Sequence, residues 1–145
     1  MNSDVLITIN GIQHDIDENN SLQTVQQGKY RLVSDKHIIK YDEFIEETEG
    51  SSSAVITNLL KIDTNSSTVT LTKKGASSSN MVFKEGLHHD SPYKTPFGTM
   101  QMSLHTNKLS IEESEATIDI TIHYSLEMNY SHISDCTINI NVKSL

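Results

Sequence analysis

The stretch GASSSNMVFKEGLHHDSPYKTPFG, residues 75–98, carries the reading on which the fold turns. From Asn80 to Lys84, Met81 and Phe83 lie on one side while Asn80, Val82 and Lys84 lie on the other, the period of two that belongs to a strand. Glu85-Gly86 ends that strand. Thr95-Pro96-Phe97-Gly98 then places proline at the second position of a turn, where its ring fixes φ, and glycine at the fourth, a type I pattern. Between these points no apolar residue recurs at helical spacing. Strand and turn, repeated, are the unit of an antiparallel sheet.

Outward from this stretch the same period continues to both ends of the chain. Towards the N-terminus, Val5, Ile7 and Ile9 alternate with Leu6, Thr8 and Asn10, a strand expected to end at the turn dipeptide Asn10-Gly11. Leu22 to Val33 carries Gly28 at its centre, where a strand turning a barrel corner needs a bend. His37 to Phe44 is the next strand, followed by an acidic, serine-rich connection from Glu46 to Ser53 that reads as a mobile loop. Val55–Ile62 and Thr68–Thr72 flank Asp63 to Ser67, the composition of a hairpin loop. Lys73-Lys74-Gly75 makes a further turn.

Towards the C-terminus, Met100, Met102 and Leu104 form one row, and Ile118, Ile120, Ile122, Tyr124, Leu126 and Met128 form the longest. Thr137 to Val142 closes the chain, with Cys136 on the parity of Ile138 and Ile140 and therefore on the apolar face. The expectation is an all-β domain over residues 1–145. It is a single closed antiparallel up-and-down barrel of about eight to ten strands, since closure removes exposed edges, with a sandwich as the alternative.

A chain of 145 residues is long enough to bury a substantial core without staples. Its net charge of −8 and pI near 5.2 repel phosphate backbones and anionic lipid, so nucleic acid and membrane surfaces are poor partners. No apolar run approaches the roughly 18 residues of a spanning helix, and residues 1–10 lack the pattern of a secretory leader, so a cytoplasmic protein is expected. One cysteine excludes an internal disulfide and a cysteine-rich zinc site.

The parts Gly28-Lys29-Tyr30, Met81-Val82-Phe83-Lys84-Glu85-Gly86 after Gly75, and Tyr93-Lys94-Thr95-Pro96-Phe97-Gly98 followed by a long alternating strand and Thr106 resemble the bacterial YwiB family. These are calycin-like β-barrel proteins of unassigned biochemical function. The resemblance implies an up-and-down barrel similar to lipocalins and fatty-acid-binding proteins, and it supplies no catalytic residue.

Chemistry is sparse. His88 and Asp90 would share one side of a strand, yet two ligands make no metal site, and only His105 or His123 could supply a third. The alternative for His88 to Asp90 is a solvated turn. Ser77 to Ser79 follow Gly75 without any nucleophile or phosphate-loop pattern, and Glu112, Glu113 and Glu115 fall in a polar connection where they would simply ionise. No cofactor is expected, and no enzyme.

The suggestive feature is the set of thioethers and aromatics on inward faces. Met81, Phe83, Tyr93, Phe97, Met100, Met102 and Tyr124 are the candidate lining of a ligand cavity, with Tyr93 and Phe97 at its mouth. Methionine suits an apolar guest and irregular packing equally. Two functions follow: a non-catalytic barrel that binds a small apolar or amphipathic molecule, or a solid-core barrel acting through its exterior as an interaction or assembly module, as monomer or homodimer.

Overall fold

The protein was analysed as a computed structural model, which describes residues 1–14, 19–45 and 54–145, and side chains outside 12–22 and 45–54. The described residues form β1 (Asp4–His14), β2 (Asn19–Val33), β3 (Lys36–Ile45), β4 (Ala54–Asp63), β5 (Thr68–Lys74), β6 (Ser79–Phe83), β7 (His88–Thr95), β8 (Gly98–Glu113), β9 (Thr117–Met128) and β10 (Ser131–Ser144). All pairings are antiparallel, and the sheet order is β6-β5-β4-β3-β2-β1-β10-β9-β8-β7. A meander in this order curls until its first and last strands meet. The result is the expected all-β barrel, nearly closed.

Closure is unequal around the ring. β1 and β10 pair without interruption from Val5↔Ser144 to His14↔Asp135. β6 and β7 share a single bridge, Ser78↔Lys94, whose two backbone bonds measure 2.8 and 2.9 Å. The sequence gives the reason. In an antiparallel ladder the next hydrogen-bonded pair lies two residues along each strand, which sets Asn80 opposite Pro92, and proline has no N–H to donate. His89 compensates: its Nε2 lies 3.2 Å from the Asn80 carbonyl oxygen and donates to it.

A second parting begins at Gly28. A Cβ there would stand 2.9 Å from Ile7 Cδ1 and 3.0 Å from the Lys40 carbonyl oxygen, so only glycine lets β3 pass this close. β2 and β3 pair from Val33↔Lys36 to Lys29↔Lys40 and no further. The ten-stranded wall is therefore incompletely paired at two places, β6/β7 and β2/β3, the latter zipped at the end that holds the β2/β3 turn. We call this the lower end. The β7/β8 and β9/β10 turns mark the upper end.

The lower half is filled. Val5, Ile7, Ile39, Leu60, Ile62, Val69, Phe83, Ile118, Ile120, Ile122 and Val142 are all buried there. A hydrogen-bonded chain spans this end: Tyr30 Oη lies 2.6 Å from His37 Nδ1, and His37 Nε2 bonds the Glu113 carboxylate from β8.

Several sequence expectations shift. β1 does not end at Asn10-Gly11, because pairing with both β2 and β10 carries it to His14. β8 runs past Leu104 because a bulge between Thr106 and Lys108 switches its inward parity, so Leu104 and Thr106 are followed inward by Leu109 and Ile111. Glu112 and Glu113 thus lie in a strand, although Glu115 does lie in the turn. His88 to Asp90 belong to β7. The expected mobile loop from Glu46 to Ser53 lies outside the described residues.

Candidate functional site

The inward rows change character from the lower to the upper end. On β9, Ile118, Ile120, Ile122 and Tyr124 are buried, but Leu126 and Met128 on the same parity are only half-buried. On β6, Phe83 is buried and Met81 half-buried; on β8, Leu104 and Met102 are buried and Met100 half-buried. Met81, Tyr93, Leu126 and Met128 pack against the core while keeping part of their apolar surface exposed.

Of the predicted lining residues, Phe83 and Tyr124 meet across the interior with ring centroids 5.1 Å apart and planes at 59°, a tilted aromatic contact. At that level the barrel is filled, and these two side chains form the floor. Met81, Tyr93 and Met100 stand above it. Phe97 does not join them: it projects from the tip of the β7/β8 turn and is 99% exposed. Pro96-Phe97 forms a two-residue loop between the paired Thr95 and Gly98, so nothing covers the ring.

The opposite wall is polar at this height. The register aligns Tyr41 of β3 with Asn58 of β4, Asn58 with Lys73 of β5, and Lys73 with Ser79 of β6, one row of side chains across four strands. Lys73 Nζ bonds Glu43 Oε1 at 2.8 Å. Asn58 is fully buried. Its Nδ2 reaches only the Ile56 carbonyl, at 3.4 Å, and its Oδ1 has no partner. An unpaired buried acceptor costs about 1–3 kcal/mol. Burial, reinforced by the Glu43 charge, raises the Tyr41 hydroxyl well above its usual value; burial and Cys136 do the same for Tyr124. Both hydroxyls stay protonated near neutrality.

The described residues contain no cluster of three metal-ligating side chains. His88 Nε2 does bond Asp90 Oδ1 at 3.0 Å, and the Ser103 hydroxyl, at 2.6 Å, holds the Asp90 carboxyl below its usual range. The His88 and His105 rings lie 6.2 Å apart between centroids. Cys136 is buried, with its Sγ 3.2 Å from Ser134 Oγ.

Sequence reading did not single out the polar row, the Tyr30–His37–Glu113 chain or the part played by Pro92. The parity of Asn58 with Ile56, Leu60 and Ile62 could have exposed the first, since an asparagine amid inward branched residues breaks their pattern. Lys73, assigned to a turn, concealed the rest of that row. A contact between β3 and β8 leaves no local signal.

Against known families, the model described as a domain of unknown function, DUF1934, matches residues 7–140. The chain belongs to this family. Among solved structures, the DUF1934 chain is similar to the crystal structure of the ywiB protein from Bacillus subtilis, with a TM-score of 0.79 and 18% identity over 99% of this chain and 92% of that one. At this identity the likeness establishes the shared barrel. A search of the curated proteins finds no match. Among the described residues of this DUF1934 protein no helix is long and apolar enough to cross a membrane, which leaves strand-built crossings unaddressed.

Proposed function

We propose that this barrel is a non-catalytic, cytoplasmic binding protein that holds one small amphipathic molecule in its upper half. The observation that carries the reading is the change along β6 and β9: Phe83 and Ile118 to Tyr124 on the inward parity are buried, whereas Met81, Leu126 and Met128 keep part of their surface exposed. The buried Asn58 side chain, with its unpaired oxygen, makes the facing wall polar. A filled floor limits the guest to the upper cup. The unpaired thiol of Cys136 and the acidic composition are in keeping with a cytoplasmic protein.

The test is displacement of an environment-sensitive apolar dye by decanoic acid, with micromolar binding expected, about −8 kcal/mol. Met81→Glu and Met128→Glu should abolish dye binding while Thr99→Glu, on the exposed face of β8, leaves it intact. Asn58→Leu should raise the melting temperature of the free protein, because it removes an unpaired buried acceptor. A barrel that excludes every apolar probe, or binds them equally after all these changes, would leave the solid-core interaction module as the better account.

A further inference from the structure

Between β6 and β7, where Pro92 halts the ladder, lies a slot of about 610 Å3 whose lining includes Lys73, Lys74, Asn80, His89, Ser91 and Lys94. Lys73, His89 and Ser91 fall on the inward parity of their strands, whereas Lys74, Asn80 and Lys94 fall on the outward one. Residues of both faces line it together. The slot therefore follows the seam, open to solvent, with side chains of both faces along it.

Its charge opposes that of the molecule. The chain carries −8 overall, yet three ammonium groups line this opening against one carboxylate, Asp90. Asp90 is already engaged, by Ser103 and His88. Lys73 is held by Glu43, but Lys74 and Lys94 have no ion-pair partner among the described residues. Asn80 accepts from Thr72 through its side-chain oxygen at 2.9 Å, which leaves its amide nitrogen to donate. Two unpaired ammonium groups and a neutral amide donor, from β5, β7 and β6, match the several acceptor lone pairs of a compact oxyanion.

We propose that this slot binds a small oxyanion, a phosphate or carboxylate group carried by a small molecule. A second basic groove, lined by Lys29, Arg31 and Lys40 at about 320 Å3, lies beside the β2/β3 ladder, but Asp4 already neutralises Lys29 there. The seam is the better site because its two unpaired lysines, on β5 and β7, share a slot with the amide nitrogen of Asn80, whereas the groove is lined in part by Ile38 and Leu59.

The experiment is calorimetric titration of the full chain with inorganic phosphate and, separately, dodecyl phosphate. Lys74→Ala with Lys94→Ala should weaken binding by about tenfold or more, whereas Lys108→Ala with Lys143→Ala, the same loss of charge elsewhere, should change it less than about twofold, since exposed charges act weakly at a distance. Pro92→Val, which restores the missing donor, should close the slot and abolish binding while the protein melts no lower. Lysine-dependent binding of inorganic phosphate supports a free oxyanion site; lysine-dependent binding of dodecyl phosphate alone supports a site for the head group of an amphiphile. Loss of binding on Lys40→Ala in place of the seam variants, equal effects of both lysine pairs, or no binding of either probe would overturn the proposal. The dye assay on the same variants is independent of these outcomes, so the apolar cup and the slot stand or fall separately.

Discussion

The two seams of the barrel invert what chain connectivity suggests. β1 and β10 come from opposite ends of the sequence, yet they pair from Val5↔Ser144 to His14↔Asp135. β6 and β7 are consecutive, joined by a short turn, yet they share one bridge. Proximity along the chain brings strands near; donors and acceptors in register decide whether they pair. The complete seam has ladder groups along its whole length, and the incomplete one has Pro92 where the second pair needs an N–H.

Proline placed in the complete seam should have the largest effect. Val142 is fully buried and paired on both sides, to Ile7 and Ile118. Val142→Pro should cost about 3 kcal/mol or more and leave a chain without a cooperative melting transition by circular dichroism. A folded Val142→Pro barrel would mean that the two seams do not differ in strength.

Truncation separates the packed floor from the cup. Phe83→Ala should cost about 3–5 kcal/mol in urea unfolding, as is usual for a fully buried ring, and Met81→Ala, half-buried two pairs above it, nearer 1 kcal/mol. Equal costs would show the upper half to be as tightly packed as the lower.

The buried tyrosines add a pH signature of smaller size. Tyr41 and Tyr124 ionise at ordinary alkaline pH when unfolded but resist it when folded, so their contribution is intact below the unfolded value of 10.0 and is lost as pH rises above it towards their elevated folded values. The melting temperature should therefore fall above about pH 10, and Tyr124→Phe should flatten that fall. A wild-type curve flat through this range would place the hydroxyls in water.

The smallest change should come from mending the open seam. Pro92→Val restores one donor at the edge of β7 and should stabilise by no more than about 1 kcal/mol, the net worth of one hydrogen bond, offset by the lost rigidity of proline. Slowed amide exchange at residue 92 and its neighbours would report the new pairing.

How much of this was legible depended on the range of the interaction. The inward rows at Val5, Ile7, Ile118, Ile120, Ile122 and Cys136 could be read directly, because a side-chain period of two sorts faces without reference to any partner. Boundaries were lost where pairing overrode local signals: Gly11 looked like a turn but lies within two ladders, and the bulge before Lys108 hid the continuation of β8. The site was half legible. Parity placed Met81 and Met102 inward, but whether a residue ends as floor or cup depends on what faces it, and the Phe83–Tyr124 contact joins strands far apart in sequence. Phe97 was misjudged because an aromatic at a two-residue turn has no obligation to fold back.

The β1–β10 ladder also bears on how the barrel comes to exist. Hairpins such as β4/β5 and β9/β10 close short loops and can form early, but the ring is complete only when the first strand finds the last, after nearly the whole chain has been made and brought into register. Until then β1 and β10 each present an unpaired edge, open to a neighbouring molecule as readily as to each other. Refolding should accordingly be slow for a protein of this size and sensitive to concentration, with yield governed by the competition between ring closure and exchange of strands between chains.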